Sequence, residues 1–285
     1  MFTRIQTRAF RCLKSVDQRL GPFLALVGPN ASGKTTFLDV IGFLSDLVRN
    51  RGDVFETVQS RSTNFEKLLW MGQGESFQLA VEATIPTAVH KSMAEDKRQF
   101  TQVRYEIEIG LDVARNEIGL NHETLWLMEP TKEKMLTQPS LFPASPTEME
   151  SVLTRSRARK GQKAAFTKKP GGNDNYYTEG RKSYMPSFKL GRGKSALANI
   201  PADSESFPVS TWFRSLLETG VQTYVLNSQV IRQPSPPGLG RRFLADGSNL
   251  PWIIADLRRK DSDHFQRWLA HVRTALEDIR DIDVV

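Results

Sequence analysis

The stretch FLALVGPNASGKTTFLDVIGFL, from Phe23 to Leu44, determines the fold that this sequence predicts. Its first five residues are apolar, and a loop bracketed by Gly28 and Gly33 follows them. An amphipathic segment then begins at Lys34. Its apolar residues recur at spacings of four, three and four, which places them on one face of a helix: Phe37, Ile41, Leu44 and Val48. We therefore predict a strand, a glycine-containing loop and a helix, in that order.

The loop GPNASGKT matches G-x-x-x-x-G-K-[ST], the pattern of a phosphate-binding P-loop. Glycine at both ends lets the backbone curl, so that amide N–H groups point at phosphate oxygens. Lys34, the predicted catalytic residue, neutralises the β- and γ-phosphates, and the Thr35 hydroxyl is one ligand of Mg²⁺. The predicted cofactors are ATP and Mg²⁺, because the N-K-x-D motif of GTPases is missing. The predicted nucleotide-binding residues are Gly28, Pro29, Asn30, Ala31, Ser32, Gly33, Lys34, Thr35 and Thr36.

ATP hydrolysis also needs an acidic residue at the end of an apolar strand. Two segments imitate this element, TLWLMEPT with Glu129 and WIIAD with Asp256. We reject the first because Met128 replaces the preceding acidic residue and because the segment alternates like an antiparallel strand. We reject the second because Pro251 and the following LRRK favour a helix. The sequence therefore predicts ATP binding and leaves hydrolysis without a positioned carboxylate, so whether the chain is an enzyme stays open.

Three alternating segments, 76–85, 102–113 and 116–129, predict an antiparallel β meander, and two short strands with a turn at RLGP are expected before the P-loop. Helices are predicted at 208–218, near Pro251 and from 263 to 278, and VQTYVLN (221–227) predicts a strand. The fold class is α/β, a P-loop NTPase with a first lobe like an ABC-ATPase head. The predicted regions are 1–129, an ATP-binding lobe with the meander; 130–207, a basic insertion; and 208–285, a strand with helices that leads to an absent second half.

The positive charge of the chain is concentrated in one segment. Between Arg155 and Lys194, 12 Lys and Arg stand against two acidic residues, a balance of +10, whereas the remaining 27 basic and 30 acidic residues balance at −3. One interpretation is a surface for nucleic acid, with phosphates contacted by basic side chains and bases stacked on aromatic rings. The other is a solvated loop. The candidate nucleic-acid contacts are Lys168, Lys169, Arg181 and Lys182.

The single cysteine, Cys12, excludes an intramolecular disulfide and a zinc site made of thiolates. No run reaches the roughly 18 apolar residues of a membrane span, and the N-terminus lacks the apolar core of a signal peptide. We therefore expect a cytoplasmic protein without a membrane partner.

The N-terminal residues from Phe2 to Ile41 resemble the opening of the RecF/SMC-like ATPases, a branch of the ABC-type ATPase heads grouped with the AAA family. In that branch a strand ending in F-R leads to GPNGSGK[ST]. Phe10, Arg11 and the loop match, with Ala31 in place of the common glycine. The runs LNSQVIRQPSPPGLG and ADGSNLPWIIADL also resemble these proteins.

The resemblance implies a homodimer around two ATP molecules, or a partner chain that supplies the second ATPase half, because the signature motif, the acidic strand end and the switch histidine do not occur before Val285. It also implies that Gln229 stands where the Q-loop glutamine contacts Mg²⁺ or the attacking water; an ordinary loop glutamine is the alternative. The leading hypothesis is an ATPase acting on DNA in repair, maintenance or anti-phage defence. The alternative is a nucleotide-sensing module that binds ATP to control assembly. A small-molecule kinase is a third hypothesis, which the absence of a lid disfavours.

Overall fold

An antiparallel sheet of eight strands lies within residues 1–221 of the structure, a computed structural model that describes residues 1–113, 115, 117–130, 149–154, 160–239 and 243–283. Its order is β2-β1-β3-β4-β5-β6-β7-β8, so only the first two strands depart from chain order. The strands are β1 (Phe2–Phe10), β2 (Leu13–Arg19), β3 (Ser76–Thr84), β4 (Gln102–Asp112), β5 (Glu117–Met128), β6 (Gln162–Lys168), β7 (Asp174–Tyr176) and β8 (Ser187–Phe188). The predicted α/β class with an antiparallel meander is confirmed.

Helices occur both between the strands and after the last strand in the sequence. They are α1 (Lys34–Arg49), α2 (Val54–Gln59), α3 (Thr87–Ser92), α4 (Pro208–Thr219), α5 (Ser228–Ile231), α6 (Leu250–Lys260) and α7 (Ser262–Ala275). Short 3₁₀ turns cover Phe65–Leu68, Trp70–Gly72 and Glu95–Lys97. The predictions for α1, α4, α6 and α7 are confirmed within a few residues. The short helices α2, α3 and α5 carry too few residues for a period to be recognised.

One face of the sheet and the apolar face of α1 make the core. The rings of Phe10, Phe43 and Phe77 contact one another at centroid distances of 5.0 to 6.0 Å and are fully buried. Val40 and Leu47 of α1 are also fully buried, as the predicted apolar face requires. This packing fixes the start of α1, and therefore the P-loop, against the β1–β2 end of the sheet.

Buried carboxylates connect the sheet to the segments that pack on it. Glu123 of β5 accepts hydrogen bonds from the Tyr105 hydroxyl (2.8 Å) and from the backbone N–H of Ala196 (2.7 Å). Glu179, which follows β7, accepts from the N–H groups of Val209 (2.7 Å) and Ser210 (3.0 Å) in the first turn of α4. Burial raises the pKa of Glu179 to about 7, although the hydrogen bonds from α4 lower it in part.

The first hairpin turns earlier than the sequence predicts. The expected turn at RLGP is wrong, because β2 ends at Arg19 and the chain reverses at Arg11 and Cys12. Ala9 and Arg11 adopt the left-handed region, with φ of 57° and 51°, and Phe10 pairs with Leu13. Since Ala and Arg have no preference for that conformation, the sequence carries no signal for this turn.

The strands predicted at 23–27 and 221–227 do not form. Phe23 is 86% exposed and Val27 is 94% exposed, and in the second segment Val225 is 72% exposed. Both segments have the apolar residues of a buried strand, but in the described part of the chain no strand pairs with either. A strand needs a hydrogen-bonding neighbour, and apolar composition does not supply one.

The chain divides into two units, Met1–Val221 and Gln222–Val285. The described strands of the predicted 130–207 insertion, β6, β7 and β8, extend the same sheet, and α4 packs on α1 in the first unit. The predicted boundaries at 129/130 and 207/208 therefore do not separate compact units. In the second unit, α6 and α7 pack together and bury Phe265 and Leu269.

In the described ranges, we find no helix that has both the length and the apolar character of a membrane span.

Candidate functional site: the P-loop and its surroundings

The P-loop residues form a tight loop that leads directly into α1. Gly33 is the residue before the helix and adopts φ of 91°, a left-handed conformation that glycine adopts without strain. A Cβ atom at this position would lie 3.0 Å from Leu13 Cδ2 and 3.3 Å from Cys12 Sγ. Glycine is therefore required here both for the backbone conformation and for the close contact with the β1–β2 turn.

The ammonium group of Lys34 lies over this loop. Its Nζ donates hydrogen bonds to the carbonyl oxygens of Gly28 (2.8 Å) and Pro29 (2.7 Å), with Ser32 Oγ at 3.4 Å. The positive charge is thus held at the mouth of the loop by uncharged groups, because the two closest partners are backbone carbonyls. That arrangement leaves the charge available to an anion.

The start of α1 offers a second set of donors. Among the described residues, no side chain accepts a hydrogen bond from the N–H groups of Lys34, Thr35 or Thr36, and no acidic residue lies in the first turn. Thr35 is exposed. Thr36 is buried, and its Oγ1 accepts a hydrogen bond from Cys12 Sγ at 3.3 Å. A helix of 16 residues with free amides, a positive dipole end and an adjacent ammonium fits a phosphate chain.

Ala31 occupies the loop position where the resemblance leads one to expect glycine. Its φ is 62°, in the left-handed region, where an L-residue with a Cβ is strained by about 1–2 kcal/mol. The substitution keeps the loop conformation and adds this strain. Ala31 therefore differs from the common glycine in residue type, while its backbone keeps a left-handed conformation that glycine favours.

A cleft of about 730 Å³ opens beside the P-loop. It is lined by Arg11 and Cys12 from the β1–β2 turn and by the segment from Asn64 to Gly72, with Trp70 and Met71. Cys12 joins the two features, since it lines the cleft and also contacts Thr36. Sequence analysis missed this cleft, because the residues at 64–72 have no recognisable motif and meet the β1–β2 turn only through the fold.

The two rejected acidic residues lie in the elements that the sequence predicts for them. Glu129 follows β5, which is antiparallel to both β4 and β6. Met128 is in register with Gln102, at the Met1 end of the sheet, whereas the P-loop contacts the Cys12 end of β1. The length of β1 puts these two ends on the order of 25 Å apart. Asp256 lies on α6 and pairs with Arg259 (2.6 Å) and Lys260.

Gln229 is exposed in the first turn of α5, in the second unit. Its N–H donates to the side chain of Asn227, which caps this short helix. Its assignment as a Q-loop residue stays a prediction. In the part of the chain that the structure describes, no three His, Cys, Asp or Glu side chains are grouped to hold a metal ion.

The basic segment is largely part of the sheet, and the structure changes the roles of its residues. Lys168 is buried and pairs with Asp174 at 2.6 Å, so it is wrong as a nucleic-acid contact. Lys169, Arg181 and Lys182 are exposed, and their contact with nucleic acid stays a prediction. The aromatic rings of Phe166 and Tyr176 are buried in the core and are not available for stacking on bases. Residues 155–159 of the segment lie outside the described residues.

Comparisons with known proteins match parts of this chain. Residues 23–86 match the family described as "AAA domain, putative AbiEii toxin, Type IV TA system". Over 60 residues the chain is 48% identical to an OLD nuclease of Thermus scotoductus (strain ATCC 700910 / SA-01). This match covers 21% of the present chain and 10% of the nuclease, so the similarity spans a tenth of that relative.

A solved structure, from work on "ATP-driven dimerization and DNA stimulated activation of SMC ATPases", aligns with 45% of this chain and 69% of its own. The sequence identity is 18% and the TM-score is 0.28. A similarity of this size carries no argument about the fold or the function.

Proposed function

We propose that the chain, whose residues 23–86 match an AAA-domain family, binds ATP with Mg²⁺ at residues Gly28 to Thr36 and serves a DNA-related function like that of ATPases of the RecF/SMC-like kind. The observation that carries the proposal is the start of α1, where three free amides and the Lys34 ammonium converge on one loop. These groups are complementary to a polyphosphate.

Each P-loop residue then has a defined task. Lys34 neutralises the charge of the β- and γ-phosphates. The uncharged N–H groups of the loop orient the phosphate oxygens by donating hydrogen bonds to them. The exposed Thr35 hydroxyl is the protein's ligand for Mg²⁺, which supplies further neutralisation of the phosphates when bound. Thr36 is buried and its hydroxyl accepts a hydrogen bond from Cys12, so its part in phosphate binding is through its backbone N–H and not through its hydroxyl.

We assign the neighbouring cleft to the base and ribose. Its volume lies in the range of small-molecule sites, and Trp70 lines it with an aromatic ring, one face of which is covered by Lys14 Nζ at 5.2 Å from the ring centroid. A comparison of the affinities for ATP and for inorganic tripolyphosphate distinguishes this subsite from the P-loop, because tripolyphosphate has no base or ribose. Trp70→Ala should weaken ATP binding several-fold and leave tripolyphosphate binding unchanged, with Trp252→Ala as the control. Equal losses for both ligands would contradict the assignment.

Hydrolysis by this chain alone should be slow. A loop that holds phosphates stabilises the leaving group but positions no water. Glu129 lies at the other end of the sheet from the loop, and Asp256 is paired with Arg259 and Lys260 on its own helix. The signature and acidic strand residues would come from a partner chain that supplies the second ATPase half. The second candidate function is a module in which ATP controls assembly. It is favoured by the lack, among the described residues, of a carboxylate assigned to the loop and by the exposed apolar residues at 23–27.

A steady-state ATPase assay of the whole chain tests this division, with Lys34→Ala as the background. We expect saturable ATP binding with turnover close to that background. Robust turnover by the wild-type chain that Lys34→Ala abolishes would contradict both the slow-hydrolysis proposal and the assembly module. That result would mean that this chain itself supplies the carboxylate that positions the attacking water.

A further inference from the structure

The excess positive charge of the segment 160–194 is divided between two ends of the sheet. Because β6, β7 and β8 are antiparallel, the loop 169–173 and the segment 189–193 lie at one end, and the loop 177–186 lies at the other. Lys169 and Lys189 belong to the first end. Arg181 and Lys182 belong to the second end. A single basic run in the sequence is therefore two separate surfaces in the fold.

A buried carboxylate holds the first end together. Asp174 accepts a hydrogen bond from Lys168 Nζ (2.6 Å) through one oxygen and from the Leu190 N–H (2.8 Å) through the other. Both Lys168 and Asp174 are almost fully buried. The segment 189–193 is also fixed to the sheet, since Arg192 Nη1 donates a hydrogen bond to Asp112 at 2.7 Å. The two loops are thus held side by side before any ligand binds.

Among the described residues, the exposed lysines at this end have no acidic partner. Lys169 and Lys189 are exposed and line one narrow cleft together with Arg192. Within the described ranges, no carboxylate lies within 4.0 Å of either ammonium group, whereas Lys182 at the other end has Asp203 at 3.9 Å. Gly171 and Gly191 adopt left-handed conformations, and no atom lies within 4 Å of the position of a Cβ on either. These two glycines add no side chain to the surface near the two lysines, so a rigid anionic chain can approach the backbone there closely.

We propose that the loops 169–173 and 189–193 form a contact surface for the phosphate backbone of duplex nucleic acid, with Lys169 and Lys189 as the phosphate contacts. Lys168 is a positioning residue, because it acts through Asp174 on both loops. The inference rests on the DNA-related part of the proposed function and is independent of ATP binding. Duplex is favoured over single-stranded nucleic acid because no exposed aromatic side chain lies in these two loops, and stacking on aromatic rings is the main device for binding single strands.

The test is the affinity of the full chain for a labelled random duplex of about 20 base pairs, measured by fluorescence anisotropy over a series of salt concentrations. Lys169→Gln/Lys189→Gln removes two charges from the first end, and Arg181→Gln/Lys182→Gln is the matched control at the second end. All four residues are exposed, so neither double variant disturbs the core. Each lost phosphate contact lowers the slope of log affinity against log salt by about 0.9. We expect a slope change of nearly two for the first variant and none for the control.

Four results would overturn the inference. Equal losses in both double variants would mean that only net charge matters, and a larger loss in the control would place the contact at the other end. Binding of the wild-type chain to vesicles with anionic lipid but not to the duplex would assign the surface to another polyanion. Failure of the wild-type chain to bind the duplex at low salt would also refute the DNA-related part of the proposed function, while leaving ATP binding untouched.

Discussion

The helices α1 and α4 begin in opposite electrostatic surroundings. At α4 the buried carboxyl group of Glu179 accepts hydrogen bonds from the N–H groups of Val209 and Ser210, so the chain supplies its own acceptor. At α1 no described side chain fills that place, and the nearest charge is the positive Lys34. Free amides at a helix start are stabilised by an anion wherever one is present. The comparison teaches that α4 is completed by the fold, whereas α1 is left to be completed by a ligand.

Removing the Glu179 side chain should have the largest effect on stability. Glu179→Ala leaves two buried N–H groups and the Ser210 hydroxyl without their acceptor and opens a cavity, so we expect a loss of about 3–5 kcal/mol in the free energy of unfolding. Denaturant unfolding followed by circular dichroism measures it. Affinity for ATP, measured at a temperature where the variant is folded, should not change. A loss below 1 kcal/mol would show that α4 does not depend on this carboxylate.

The same carboxylate should make stability depend on pH. Burial raises the pKa of Glu179 from 4.5 to about 7 in the folded state, so between these values the folded chain binds more protons than the unfolded chain. This contribution to stability is full below pH 4.5 and is lost as the pH rises through 7, with a maximum of about 3 kcal/mol. Glu179→Gln should flatten that fall when unfolding is compared at pH 5 and pH 8. Parallel pH profiles for wild type and variant would contradict the assignment.

At α1 the corresponding change acts on ligand binding. Gly33→Ala forces a Cβ into the left-handed conformation and against Leu13 and Cys12, so the loop must shift. We expect ATP affinity to fall about 5- to 30-fold, which is the equivalent of 1–2 kcal/mol. Gly171→Ala is the matched control, because it also has a positive φ, of 73°, but open space around it. The idea fails if both substitutions weaken ATP binding equally.

The two helix starts also show what the sequence predicts and what it does not. The P-loop of α1 is visible in the sequence because its residues are contiguous and follow a fixed spacing. The cap of α4 is invisible, because Glu179 lies 30 residues before Val209 and meets it only through the sheet. The strands β3, β4 and β5 were predictable from alternation, since each has neighbours within the same meander. Phe23–Val27 has equal apolar content but no partner strand among the described residues, and sequence pattern does not encode the partner.

The measurement that tests the central claim most directly is calorimetric titration of the wild-type chain and of Lys34→Ala with ATP and Mg²⁺. The exposed Lys91→Ala in α3 is the control for the loss of one positive charge. We predict one ATP per chain for the wild type and for Lys91→Ala, and an affinity at least 10-fold lower for Lys34→Ala, since the ammonium at the loop is removed. Unchanged affinity in Lys34→Ala, or no binding by the wild type, would contradict the claim that the start of α1 is completed by a nucleotide.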